Sequence, residues 1–254
     1  MCTQDSNISS NKDLPNLLIN DTKFASKALI SSKSKITDSS YVLFNNYKVQ
    51  KKSIGKGSFC KVYKGYDIVT KEYVAIKKID INKIKQTRFS YSKNIDKLIE
   101  LINNETKILE SLNHVNIAQC YKVIRSVTNN NVYIIMEYCE GGTLKEYKKA
   151  NKMNINKVIK QIIDGIDYLH KNGIIHRDLK PENIMFKNHI PKIIDFGFAK
   201  KYTSTTDMFQ TLCGTPLYFA PEIIHDKKYT IKADIWALGV IIYELVFDRY
   251  PFLI

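Results

Sequence analysis

Apolar and polar positions divide the chain into stretches of different period. Residues 1 to about 46 are rich in Ser, Asn and Lys, with one short apolar island from Leu14 to Ile19, and read as a disordered tail. From Tyr47 the pattern becomes short and β-rich. Tyr47 to Gln50 leads into Ile54-Gly55-Lys56-Gly57-Ser58-Phe59-Cys60-Lys61-Val62-Tyr63-Lys64-Gly65, and Tyr73-Val74-Ala75-Ile76-Lys77 follows a turn at Thr70-Lys71-Glu72. Ile95, Leu98, Ile99, Ile102, Glu105, Ile108, Leu109 and Leu112 then recur at spacings of three and four, which predicts a helix. Val115–Val127 and Val132–Tyr138 predict two strands around an Asn129-Asn130-Asn131 turn. The sum is a small five-stranded antiparallel lobe with one helix.

After Glu140-Gly141-Gly142-Thr143 the rhythm turns helical. Ile155, Val158, Ile159, Ile162, Ile163, Ile166 and Leu169 form one stripe, stopped by Gly173. Short strands are predicted at Ile184-Met185-Phe186 and Lys192-Ile193-Ile194. A helix over about residues 231–247 is apolar nearly all round and belongs in a core.

Length and composition narrow the classes. The chain has 254 residues and is 44% hydrophobic, enough for one large domain or two lobes with a buried core. Lys and Arg outnumber Asp and Glu by 39 to 25, a formal net charge of +14. The lysines are dispersed, without an Arg-rich run or a basic patch interleaved with aromatics, so nucleic acid is not expected as a partner. The five cysteines make no CxxC pair, so neither a zinc site nor a disulfide framework is indicated. With no signal-peptide pattern and no apolar run of membrane-spanning length, the expectation is a soluble, intracellular, cytoplasmic protein.

The candidate chemistry lies in Gly173-Ile174-Ile175-His176-Arg177-Asp178-Leu179-Lys180-Pro181-Glu182-Asn183. Pro181 forbids an ordinary continuous helix, so Asp178, Lys180 and Asn183 share a loop. A carboxylate to orient a hydroxyl, a cation to neutralise a moving phosphate and an amide oxygen for a metal are what phosphoryl transfer needs. Asp195-Phe196-Gly197 adds a second metal-binding carboxylate. In this order, with Gly55-x-Gly57-x-x-Cys60, Val74-Ala75-Ile76-Lys77 and Ala220-Pro221-Glu222, these motifs resemble the protein kinases over about residues 47–252.

That resemblance implies a bilobal α+β fold, with an N-lobe over 47–138, a hinge at about 137–142 and a C-lobe over 143–254. It implies a Ser/Thr protein kinase using ATP and Mg²⁺. Asp178 and Lys180 would be catalytic, and Asn183 and Asp195 would hold the metal. Ile54, Gly55, Gly57, Cys60, Val62, Ala75, Lys77, Glu137, Cys139 and Met185 would surround the nucleotide. Cys60 stands where the family has a third glycine, and Cys60 and Cys139 would be open to alkylation. Glu137 and Cys139 would read adenine with backbone groups beside Met136.

Glu105 would steady Lys77. The two stand further apart than is usual, which implies a surface insertion within residues 81–94, and Glu100 is the alternative partner. His176 would support the loop and pack near Phe196, and Asp234 would anchor the loop backbone. Arg177 implies control by phosphorylation of the segment before Ala220, with Thr211 the candidate acceptor. Thr215 would contact Asp178 and Lys180 and, with Lys180, favours Ser or Thr as the substrate residue. Residues 195–200 and 211–218 look like the autophagy-initiating kinases and their calcium/calmodulin-type relatives.

The chain ends at Pro251-Phe252-Leu253-Ile254, where the family continues through further helices of the C-lobe. Glu222 would then lack its Arg partner and the 231–247 helix part of its cover. Uncovered apolar surface costs ~25 cal/mol per Å², so several hundred Å² would cost more than ~5 kcal/mol, comparable to a domain's stability. The expectation is a marginal fold or a partner covering the truncated C-lobe. The alternative function is a truncated, inactive kinase-like protein that binds nucleotide or a partner.

Overall fold

The computed structural model describes residues 40–57, 60–86, 95–126, 130–204, 208–209, 214–225 and 228–252. Its first part is a six-stranded antiparallel sheet. The strands are β1 (Tyr41–Phe44), β2 (Tyr47–Lys56), β3 (Cys60–Asp67), β4 (Tyr73–Asp80), β5 (Cys120–Ser126) and β6 (Asn131–Glu137), ordered β1-β2-β3-β4-β6-β5. Two helices fall between β4 and β5: α1 (Ile81–Gln86) and α2 (Ile95–Ser111). The sequence pattern gave five strands and one helix here. The sixth strand, β1, lies in the segment assigned to the tail. It is an edge strand whose first three residues are exposed, so it carries no alternation of buried and exposed positions. The extra helix α1 falls in the expected insertion, whose later residues 87–94 lie outside those described.

Turn chemistry sets the registers. Lys71 has φ +61°, and the Asp67 carboxylate accepts from the Val69 and Thr70 N–H groups at 2.8 and 3.3 Å, closing the predicted turn between β3 and β4. Asn130, at φ +54°, leads into β6. The strand predicted from Val115 starts five residues later. Residues 115–119 instead stitch the sheet to the rest of the fold: Ile193 N–H donates to Asn116 O (2.8 Å) and Ala118 N–H to Ile193 O (3.0 Å).

The second part is helical. It holds α3 (Leu144–Ala150), α4 (Ile155–Lys171), α5 (Pro221–His225) and α6 (Lys232–Phe247). Three small strand elements precede α5: β7 (Ile174–Ile175), β8 (Ile184–Lys187) with β9 (Ile190–Ile193), and β10 (Lys200–Lys201), which pairs with β7. Thr143 and Glu146 form a reciprocal capping box at the start of α3. In α4, Val158, Ile162, Ile166 and Leu169 are buried as the stripe predicts, while Ile163 faces outward. Gly173, at φ +67°, ends the turn, and any Cβ there would stand 2.8 Å from Tyr202 O.

Helix α6 is less enclosed than its apolar sequence suggested. Ala237, Leu238, Val240, Ile241 and Leu245 are buried, but Ile235, Val246 and Phe247 are exposed. No helix among the described residues is long and apolar enough to cross a membrane.

Candidate active site

Helix α6 builds the site from below. Asp234 is buried in its first turn and faces the loop after β7. Its Oδ2 accepts from His176 N–H and its Oδ1 from Arg177 N–H, both at 2.9 Å, and His170 Nε2 lies 2.9 Å from Oδ2. These bonds fix Arg177 at φ +69°, a backbone conformation that needs such support in a non-glycine residue. His176 is fully buried. Its Nδ1 accepts from Asp178 N–H (3.3 Å), so Nε2 carries the proton and donates to Ile194 O (3.1 Å), while the ring meets Phe196 edge-on. The supporting role read for His176 and Asp234 is the geometry observed.

Above this frame three predicted side chains converge on the Asp178 carboxylate. Lys180 Nζ donates to Asp178 Oδ2 at 2.8 Å and to Thr215 Oγ at 2.8 Å. Thr215 Oγ donates to Asp178 Oδ1 at 3.0 Å. Asn183 Nδ2 donates to Asp178 O (2.8 Å) and Oδ2 (3.0 Å). With its amide nitrogen so engaged, Asn183 keeps its Oδ1 as an acceptor. Gly214, at φ +106°, lets residues 214–215 approach: a Cβ there would fall 2.6 Å from Arg177 O.

Asp195 arrives from the neighbouring strand end. Ile194 N–H donates to Asn183 O at 2.9 Å, which sets Asp195 beside the Asn183 loop. Asp195 Oδ1 is 2.9 Å from Lys77 Nζ, an ion pair between the sheet and the helical part. Burial pushes the Asp195 carboxyl up, but Lys77, with help from the Gly197 N–H, pulls it below its ordinary value of 3.8. One carboxylate and one amide oxygen, with no cluster of three His, Cys, Asp or Glu among the described residues, form a hard oxygen set. Such a set suits Mg²⁺ that takes its remaining ligands from phosphates and water.

Opposite this loop, one face of the sheet carries the remaining predicted residues. Gly55 stands opposite Val62, Val62 opposite Lys77, and Ala75 opposite Met136, so the five share a face. Ile54, 51% exposed, sits at a register shift just before Gly55. Gly57 N–H donates to Cys60 O at 2.9 Å, closing the glycine loop whose Ser58 and Phe59 lie outside the described residues. Met185, in β8, bridges to Thr143.

The hinge after β6 is tied to β8 and β9. Gly141 N–H donates to Phe186 O (2.8 Å) and Phe186 N–H to Gly142 O (3.0 Å). Glu137 N–H donates to Gln119 O at 2.9 Å, so that donor is already engaged. Among the described residues, the Cys139 backbone groups make no hydrogen bond. The Glu137 side chain is clamped by Lys192 (3.0 Å) and Lys187 (3.2 Å). Burial raises its pKa, but these lysines and the Gln119 N–H outweigh it, leaving the carboxyl below 4.5. No sequence signal marked Lys187 or Lys192 in a chain full of lysines, nor His170.

Cys139 corrects one expectation. It is buried, and burial reinforced by Glu137 pushes its thiol up to about 12, so it is protonated and shielded rather than open to alkylation. Glu105 lies in α2, but its side chain and that of Glu100 are outside the described residues. Thr211 is also outside them. Arg177, read as a phosphate partner, donates from Nε to Phe198 O (2.5 Å) and from Nη1 to Tyr229 Oη (3.4 Å).

Comparison with known proteins agrees with this geometry. Residues 47–253 match the protein kinase domain family. Serine/threonine-protein kinase atg1 of Dictyostelium discoideum is 42% identical over 204 residues, covering 77% of this chain and 29% of that one. The hormonally up-regulated neu tumor-associated kinase of Mus musculus is 36% identical over 215 residues, covering 82% and 29%. CBL-interacting serine/threonine-protein kinase 21 of Arabidopsis thaliana is 38% identical over 220 residues, covering 83% and 50%. The chain thus spans between about a third and a half of these relatives' length.

Proposed function

Because the chain belongs to the protein kinase domain family, we propose that it transfers the γ-phosphate of Mg-ATP to Ser or Thr hydroxyls of protein substrates. The observation that carries this reading is the Asp178 carboxylate, held by Lys180, Asn183 and Thr215 beside the Lys77–Asp195 pair.

In the proposed mechanism Asp178 orients the acceptor hydroxyl and takes its proton. The hydroxyl oxygen bonds to the γ-phosphorus as the bond to the β–γ bridging oxygen breaks, and ADP leaves. Lys180 neutralises charge on the transferred group. Lys77, steadied by Glu105, holds the α- and β-phosphates. Asn183 and Asp195 would hold Mg²⁺, which neutralises the phosphate oxygens. Gly55, Gly57 and Cys60 cover the phosphates, while Ile54, Val62, Ala75 and Met185 enclose the base, read by the Glu137 carbonyl and the Cys139 backbone. Thr215 bonding to both Asp178 and Lys180 supports Ser and Thr as acceptors.

Thr211, two residues past Phe209, is proposed as the regulatory phosphate site. The charges of Arg177 and Lys200, both lying against the Phe209 ring, support it. The exposed Ile235, Val246 and Phe247 support a covering polypeptide over α6, and the mild, ATP-rich cytoplasm is the proposed compartment. The test is purified chain with γ-labelled ATP and a mixed protein substrate. Label in phosphoserine and phosphothreonine, abolished by chelating Mg²⁺, is expected. Nucleotide binding without label, or label in phosphotyrosine alone, contradicts the reading.

A further inference from the structure

A cavity of about 210 Å³ lies beside the catalytic loop, between α3 and the end of α6. Pro181, the residue after Lys180, forms part of its wall. The remaining wall is part apolar, from Leu144, Ile241 and Leu245, and part charged, where lysines of α3 stand with Glu244 and Asp248. Both acids are already engaged by the chain's own lysines. Lys145 Nζ is 2.7 Å from Glu244 Oε1 and 3.8 Å from Glu182 Oε1, and it donates to Tyr250 Oη at 3.3 Å. The other Glu244 oxygen accepts from Tyr218 Oη at 2.9 Å. Lys148 Nζ reaches Asp248 Oδ1 at 2.6 Å and Leu245 O at 2.7 Å. Lys149 is exposed, with no partner among the described residues.

The cavity is within reach of a bound substrate. Pro181 is three residues past Asp178, so their Cα atoms are at most about 11 Å apart. An extended peptide spans that distance in roughly three residues, at ~3.3 Å each. A side chain two to four residues from the acceptor hydroxyl is therefore within reach of this wall. Glu244 lines the cavity and Glu182 follows Pro181 in the chain; together they would attract a cation, and Lys145 lies between them, within ion-pair distance of both.

We propose that Lys145 is a specificity-determining residue: it fills the carboxylate pair of Glu182 and Glu244, so that the cavity excludes a basic substrate side chain and accepts a neutral or acidic one. This deepens the transfer reading and rests on it for the identity of the occupant. Electrostatic complementarity of this kind acts mainly through exclusion of wrong partners.

The experiment uses Ser peptides in an Ala background, with Arg, Ala or Glu placed singly at each of the four positions on either side of the acceptor. In the wild-type chain, Arg is expected to lower kcat/KM at one position relative to Ala and Glu. In Lys145→Met the Arg-to-Ala ratio at that position is expected to rise at least about tenfold, the size of one close charge contact. Adding Glu244→Gln to that variant should return the ratio toward one. A wild-type preference for Arg at every responsive position, or an Arg-to-Ala ratio that Lys145→Met leaves unmoved, overturns the proposal. If Lys145→Met does not fold, the wild-type series alone decides.

The same peptides with Ala in place of the acceptor Ser, read by fluorescence anisotropy, separate this inference from the function it rests on. A binding preference switched by Lys145→Met without any transfer upholds the cavity's role and defeats the proposed function. Transfer with no switch does the reverse.

Discussion

Asp234 has no contact with the predicted nucleotide groups, yet it sets the conformation on which they depend. Its two oxygens satisfy the His176 and Arg177 N–H groups, and Arg177 stays left-handed because of them. Asp234→Ala leaves the buried His176 N–H, the half-buried Arg177 N–H and His170 without their acceptor, and each unsatisfied buried donor costs about 1–3 kcal/mol. The variant is expected to lose about 3–5 kcal/mol of unfolding free energy in a urea titration, in the range for removing one partner of a buried charged network. A loss under about 1 kcal/mol would show that the loop holds itself.

Glu137 makes a pH-dependent contribution. Its carboxyl titrates below 4.5 in the fold because Lys192 and Lys187 outweigh the effect of its burial. A depressed native pKa means that the ion pairs stabilise the fold fully above pH 4.5 and cease to do so as pH falls through the native value. Glu137→Gln should therefore be less stable than the parent at pH 7, by about 2–3 kcal/mol for charge-assisted bonds. The gap should narrow below pH 4.5 in thermal melts. A gap that is constant from pH 7 to pH 3 would contradict the assignment.

Among the elements, α4 was the most legible. Its three-and-four spacing marked the buried stripe, and Asn154 accepts from Lys157 N–H at its start. Ile162 is almost fully buried, so Ile162→Ala is expected to cost about 2–5 kcal/mol by equilibrium unfolding, whereas Ile163→Ala, on the exposed side, should cost under about 1 kcal/mol. The catalytic loop was legible too, because Pro181 and the order of Asp178, Lys180 and Asn183 constrain both backbone and chemistry. What escaped the sequence has a common cause. β1 is an exposed edge strand, and its pairing is set by the Asn45 turn, at φ +49°, rather than by burial. Lys187, Lys192 and Lys145 act through partners distant in the chain, and nothing local sets one lysine apart from another. Residues 115–119 read as strand because Val115, Ile117 and Ala118 are apolar, yet their hydrogen bonds go to His114, to Pro191 and Ile193 at β9 and, from Gln119, to Glu137 at the end of β6.

At the scale of the molecule, polar contacts among the described residues join the sheet to the helical part. Lys77–Asp195 and the Glu137 clamp span them, and backbone bonds from residues 116–118 and 141–142 secure the hinge. A ligand that bridges both parts should stabilise the whole chain. Mg-ATP at one hundred times its dissociation constant would add about 2.7 kcal/mol, a rise in Tm of roughly 5–10 °C for a chain of this size. The central claim is that Asp178 serves the transferred phosphate and not merely the fold. It is tested most directly by phosphate incorporation from γ-labelled ATP in wild type and Asp178→Asn, both checked for the same Mg-ATP thermal shift. The account predicts an equal shift and incorporation reduced by about 10²–10⁴-fold in the variant. Undiminished incorporation with the shift intact would contradict it.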